Sequence, residues 1–175
     1  EVPAMDGSAE PFVFLIECAG AVEQAAPRRA VQVLKAVSAG KDGHYASLAP
    51  ADSALLSFEI DFDNPAVARQ ELSMTLDRES FKTEICRAQT FGFLKDAAEL
   101  RKRGLALGGS LDNAVVLDEE KVISGPLRFQ DEFVRHKVLD LIGDLALFGH
   151  PLFGHFRAER AGHRLHHQAV LFLLD

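Results

Sequence analysis

Three observations predict an α/β (α+β) protein built as a two-layer sandwich, with a mixed β-sheet packed on helices. Short segments of strand-like composition fill residues 31–76, and helical patterns dominate from there to the C-terminus; strands followed by helices favour such layers. Turn-forming clusters separate the strand candidates: Gly40-Lys41-Asp42-Gly43, Pro50 and Asp63-Asn64-Pro65. The 175 residues are 47% hydrophobic and 26% charged, enough apolar side chain to bury a core in one domain, or in one domain and a fragment of another.

Taken in order, Ser8 is placed to cap a helix whose first turn holds Glu10 and Pro11. The apolar residues Phe12, Val13, Leu15, Ile16 and Ala19 carry this helix to about Ala26, where Pro27 breaks it. Strands are expected over 31–37, 44–48, 54–62 and 71–76. A helix over 78–87 follows, with Phe81 and Ile85 one turn apart. A short apolar stretch at 90–93 leads to a charged helix over 95–103 that Gly104 ends. The Gly108-Gly109 turn precedes two strands, 114–117 and 121–123. The longest helix runs from Asp131 to about Phe148, a strand lies near Phe156, and a terminal helix covers 162–173.

The formal charge of -7 argues against a nucleic-acid partner, which would need clustered Lys and Arg. Apolar runs such as 12–16 and 169–174 are far too short for a transmembrane segment. Cys18 and Cys86 carry no CxxC spacing, so a reducing, cytoplasmic setting is expected.

Six of the seven histidines fall between His136 and His167. His136, Asp140 and Asp144 recur every four residues and share one helix face. An imidazole and a carboxylate one turn apart can bind one Zn²⁺; the same pair on an exposed face is equally a minor ion pair. Two ligands also fall short of the three that catalytic zinc usually takes from protein. His163 follows a glycine at a helix start, and the adjacent His166 and His167 read as surface residues or as a metal-binding pair. Gly108-Gly109-Ser110 lacks the GK[ST] ending of a phosphate loop and reads also as a tight turn. Thr90 in TFGF offers a hydroxyl to an oxyanion, or is simply structural.

Beyond these readings, MDGSAEPF, CRAQTFGF, RGLALGGSLDNAVVLDE, LRFQDEFVRHKVLDLIGDLALFGH and the final GH closely resemble the UDP-3-O-acyl-N-acetylglucosamine deacetylases, zinc amide hydrolases of Gram-negative lipid A biosynthesis. The motifs appear in family order from Val2 to about Leu174. The resemblance implies two related α/β sandwich domains with the active site between them: residues 1–27 as the tail of the first and 28–175 as the second. It implies His136 and Asp140 as zinc ligands, Asp144 as support for a catalytic His163, and Thr90 beside the reacting carbonyl. Lys137 would face the polar part of UDP-3-O-acyl-N-acetylglucosamine. Phe91 and the strand around Ala114 and Val116 would line an acyl passage, with Phe62, Gly109 and Ser110 among the substrate contacts.

The family's third zinc ligand is a histidine preceded by a glutamate base, both in the first domain, and no such Glu-His pair occurs here. The expectation is therefore the C-terminal portion of an enzyme, with the missing N-terminal domain docking on it. The rival is a non-catalytic fragment that binds a nucleotide-sugar lipid or a partner. A third reading, a different zinc hydrolase, uses His166 or His167 as a replacement ligand. Asn64-Pro65 stands where the family has His-Pro, His44 where a basic residue is common, and ERAGHRLHH where KSGHxLNN is usual.

Overall fold

The computed structural model describes residues 2–173; Glu1, Leu174 and Asp175, with the end of the family resemblance, lie outside the described residues. Alternating side chains set the sheet. In β3 (His44–Ala49), β4 (Ala54–Asp61) and β8 (Leu152–Glu159), Ala46, Leu48, Leu56, Phe58, Ile60, Phe156 and Ala158 point inward and are buried. The intervening Ser57, Glu59 and Arg157 remain on the other face. With β1 (Val31–Gln32), β2 (Val37–Lys41) and β5 (Arg69–Thr75), these form a six-stranded mixed sheet in the order β2-β3-β8-β4-β5, with β1 paired to β8. Strand β8 runs antiparallel to β3 and parallel to β4, so the last strand in sequence lies in the middle of the sheet.

The expected strand over 31–37 is two strands with different partners. Val31 and Gln32 pair with β8, whereas Val37 onward pairs with β3. The β2–β3 hairpin closes through Asp42 and Gly43 at φ 54° and 74°, the positive pair that a two-residue turn matched to strand twist requires.

Helix α4 (Glu132–Ala146) lays Phe133, Val134, Val138 and Leu141, all fully buried, on β4 and β5. Helix α5 (His163–Leu171) packs on β2, β3 and α4 through Leu165, His166, Ala169 and Val170. These two helices are the second layer. A separate parallel pair, β6 (Phe91–Phe93) and β7 (Val115–Leu117), is joined through the exposed α3 (Leu94–Lys102). The expected strand at 121–123 reduces to one bridge between Val122 and Leu117.

Two helices differ from the sequence expectation. Helix α1 (Glu10–Ala19) stops well before Ala26, because Gly20, at φ 78°, turns away after its N–H bonds to the carbonyls of Ile16 and Glu17. The segment from 78 begins as α2 (Arg78–Ser80), closed by a reciprocal Asp77–Ser80 capping box. It then widens into a π-helical turn (Phe81–Ile85), where the Cys86 N–H reaches the Phe81 carbonyl at 2.8 Å. The extra residue in that turn brings Ile85, Cys86 and Ala88 all to buried positions. Cys18 and Cys86 are both free thiols, and no helix among the described residues is long and apolar enough to cross a membrane.

The N-terminal segment is stitched to the strand that enters the site. The Thr90 N–H donates to the Gly7 carbonyl at 2.8 Å, the Ala9 N–H to Cys86 at 2.9 Å, and Gln89 Nε2 to the Asp6 carbonyl at 2.7 Å. Asp6 also pairs with Arg128 at 2.7 Å. Gly7 sits at φ 79°, and a Cβ there would lie 2.0 Å from the Asn113 carbonyl oxygen. Gly7→Ala is expected to free this segment at a cost of about 1–3 kcal/mol, read as loss of hydrogen-exchange protection at the Thr90 amide; unchanged protection would show that the stitch is not needed.

Candidate active site

One face of α4 carries the site. His136 is 7% exposed, and its Nδ1–H donates to the Ala88 carbonyl at 3.0 Å. That bond leaves Nε2 with a free lone pair, 3.4 Å from Asp140 Oδ1. Burial pushes the His136 pKa below its ordinary value, with Asp140 acting against the shift, so the ring is held in its neutral, ligating form. Two donors each about 2.1 Å from one ion and roughly tetrahedrally disposed would lie about 3.4 Å apart. The pair thus fits a metal, and the second ring nitrogen is anchored as ligating histidines require. Lys137 Nζ contacts the other oxygen, Asp140 Oδ2, at 3.0 Å and lies 5.4 Å from the centroid of Phe91.

Asp144, two turns below His136, is 8% exposed and accepts from three imidazoles. Its Oδ2 receives His163 Nδ1 at 2.8 Å and His166 Nδ1 at 2.7 Å, and its Oδ1 receives His167 Nε2 at 2.9 Å. Burial opposes ionisation of Asp144, but the hydrogen bonds from His166, His163 and His167 overcome it and hold the carboxyl below its usual range. An ionised carboxylate only accepts, so each facing ring nitrogen carries its proton.

Asp144, His163 and His166 place donor atoms within 4.8 Å of one another, a spacing that by itself suits an ion. The hydrogen bonding favours the His136–Asp140 pair instead. His166 Nε2 is buried with no partner among the described residues. Metal on Nδ1 would force the His166 proton onto that isolated nitrogen, whereas His136 already has a carbonyl for its proton.

Around His136 the structure gathers an aromatic wall. Phe91 lies 5.8 Å from Phe62, 5.0 Å from Phe133 and 6.5 Å from His136, centroid to centroid. Phe62, Phe91, Lys137 and His136 are therefore brought together. Thr90, half-buried, immediately precedes this wall, and its carbonyl accepts from Val115 N at 2.7 Å. Gly109 and Ser110 lie on an exposed loop between α3 and β7, where the Ser110 N–H donates to Asn113 Oδ1 at 2.8 Å.

The whole chain, residues 1–175, matches the family model for LpxC, UDP-3-O-acyl N-acetylglycosamine deacetylase. The chain belongs to this deacetylase family. It is 50% identical over 177 residues to the UDP-3-O-acyl-N-acetylglucosamine deacetylase of Acidithiobacillus ferrooxidans, covering 99% of this chain and 58% of that protein. It is 48% identical to the same-named protein of Chromohalobacter salexigens, with the same coverage. The Myxococcus xanthus relative is 49% identical over 171 residues, 97% of this chain and 54% of its own length. The chain thus spans somewhat more than half the length of these relatives.

Within the family motifs, two supports escape a sequence reading. The Ala88 carbonyl orients His136, and no side-chain pattern announces a carbonyl. Glu132, fully buried, accepts from Gln89 N at 2.9 Å and Arg128 N at 2.6 Å, fixing the strand entry against the start of α4. His166 and His167 join His163 on Asp144. Their i+3 and i+4 spacing from His163 was a visible signal that all three share a helix face.

Burial pushes the His166 pKa below its ordinary 6.5, with Asp144 acting in the opposite direction. His136 shifts the same way. The unfolded chain therefore takes up these protons first on acidification, so their stabilising contribution is full above about pH 6.5 and is lost as pH falls toward the folded values. Asp144 adds a loss in the same direction, present above 3.8 and lost as pH falls through its lower folded value. The melting temperature is expected to fall between about pH 7.5 and 5.5, and less steeply in His166→Leu. A rise on acidification would mean that the fold prefers the imidazolium.

Proposed function

We propose that the chain supplies the metal helix and the acid histidine of a zinc-dependent hydrolase that removes the N-acetyl group from UDP-3-O-acyl-N-acetylglucosamine, in lipid A biosynthesis. The observation that carries this reading is the single α4 face on which a neutral, carbonyl-anchored His136 meets Asp140, with Asp144 and His163 two turns below. Zinc held by His136 and Asp140 would supply Lewis-acid stabilisation of the developing oxyanion and a nucleophile at neutral pH.

The remaining roles belong to this chain's side chains. His163 commits Nδ1 to Asp144 while its ring is largely exposed, which leaves Nε2 free for substrate. In its imidazolium form, with Nδ1–H held by Asp144, its Nε2–H stabilises the oxyanion and then passes to the departing amine, leaving acetate and the free glucosamine derivative. Thr90 sits beside the reacting carbonyl. Lys137 binds the polar part of the substrate, with Gly109 and Ser110 as further contacts. Phe62, Phe91 and the strand at Ala114 and Val116 line the acyl passage.

Residues 1–27 belong to a first domain and 28–175 to a second, and the remaining length of the relatives docks as the rest of the first. The exposed apolar side chains of α1, Phe14, Leu15 and Ile16, support such a docking surface. The site of action is cytoplasmic. One observation favours a second reading, binding without turnover: the α4 pair provides two donors where catalytic zinc usually has three.

Zinc titration of this chain against a competing chelator is expected to give one weak site, lost in His136→Ala and in Asp140→Ala and retained in His166→Ala. Binding that survives the first two changes and disappears in the third would move the metal to the Asp144 cluster and overturn the reading. In the protein as the cell makes it, His163→Ala is expected to lower the rate of acetate release by about 10²–10⁴-fold. Retained zinc affinity with no acetate release from the parent would favour the binding-only reading.

A further inference from the structure

We infer that His166 and His167 are positioning residues: by binding both oxygens of Asp144 they fix the carboxylate that orients His163. The inference rests on the role given above to His163 and goes beyond it.

The terminal torsion of an aspartate is broad, so one hydrogen bond does not fix the plane of its carboxylate. The His163 side chain is 62% exposed and is too free to hold Asp144 by itself. His166 approaches Oδ2 at 2.7 Å and His167 approaches Oδ1 at 2.9 Å. Contacts on both oxygens remove the torsional freedom that His163 alone would leave.

His166 is itself immobilised from the sheet. Its ring, fully buried, stands edge-to-face against Phe58 of β4 at 5.6 Å and Phe156 of β8 at 5.9 Å, with interplanar angles of 87°. Rigidity therefore passes from two central strands to His166, to Asp144, and outward to His163. The unpartnered Nε2 points to the same role. A buried imidazole with an unsatisfied nitrogen is costly where an apolar side chain would pack, and such local conflicts persist where a position serves function.

Isosteric replacements separate positioning from bulk. Asn carries its amide nitrogen close to where histidine carries Nδ1, and Gln close to where it carries Nε2. The test compares His166→Asn with His166→Leu, and His167→Gln with His167→Leu, in the protein as the cell makes it. Each Leu variant is expected to lose about tenfold in kcat with KM changed less than about twofold, and each amide variant to stay within about threefold of the parent. With ¹⁵N-labelled histidine, the hydrogen-bonded His163 Nδ1–H signal is expected in the parent and in both amide variants, and to broaden in both Leu variants.

If His163→Ala abolishes turnover while the Leu variants keep kcat and the His163 signal, this inference falls and the role of His163 stands. A rise in KM with kcat unchanged overturns it as well. If His163→Ala is itself harmless, the underlying reading falls instead. Should His166→Leu fail to fold, the half-exposed His167 carries the comparison.

Discussion

The carboxylate of Asp144 is the point at which the two helices of the site become one object. It projects from the last turn of α4, and all three of its hydrogen-bond donors come from the first two turns of α5. Hydrogen bonds to a charged group contribute about 1.5–3 kcal/mol each when sheltered. The fully buried His166 bond belongs to that class, and the outer two are weaker because solvent screens them. Without this carboxylate, α5 would still bury Leu165 and Ala169 against the sheet. Nothing else among the described hydrogen bonds would set the direction of His163.

A second constraint comes from the other side. His136 is aimed by the Ala88 carbonyl, and Ala88 is placed by the π-helical turn that precedes it. Glu132 then ties Gln89 to the start of α4, so the helix that carries His136 and the segment that orients it cannot shift independently. The N-terminal segment adds a further brace through Gly7 and Asp6. The same buried backbone that delivers Thr90 and Phe91 to the aromatic wall thus fixes the tautomer of the candidate ligand.

Much of this was legible in the sequence. Strand-like composition between turn-forming clusters marks 54–62 as a strand, and the four-residue recurrence of His136, Asp140 and Asp144 puts them on one face because a helix turns every 3.6 residues. The differences between pattern and structure share a cause. Residues 31–37 look like one strand because each has strand character, yet which partner each half meets depends on β8, more than a hundred residues later. Apolar residues beyond Gly20 continue the pattern of helix α1, while the φ of Gly20 ends the helix. The π-turn was hidden because its side-chain pattern differs from an α-turn by one residue.

Local chemistry determined the elements, their approximate limits, the sandwich class and the residues with metal and acid–base capacity, since these follow from periodicity and side-chain type. The tertiary structure decided which hydrogen-bond partners each carboxylate meets, which helical spacing alone leaves open. Helical spacing puts Asp140 and Asp144 on one face, and in the sequence only the family resemblance tells them apart. They differ because Asp140 meets Lys137 and a carbonyl-anchored His136, whereas Asp144 meets three N–H donors from α5. Hydrogen bonds between segments distant in sequence depend on position and direction in space, and the packing of α4 and α5 on the sheet supplies both.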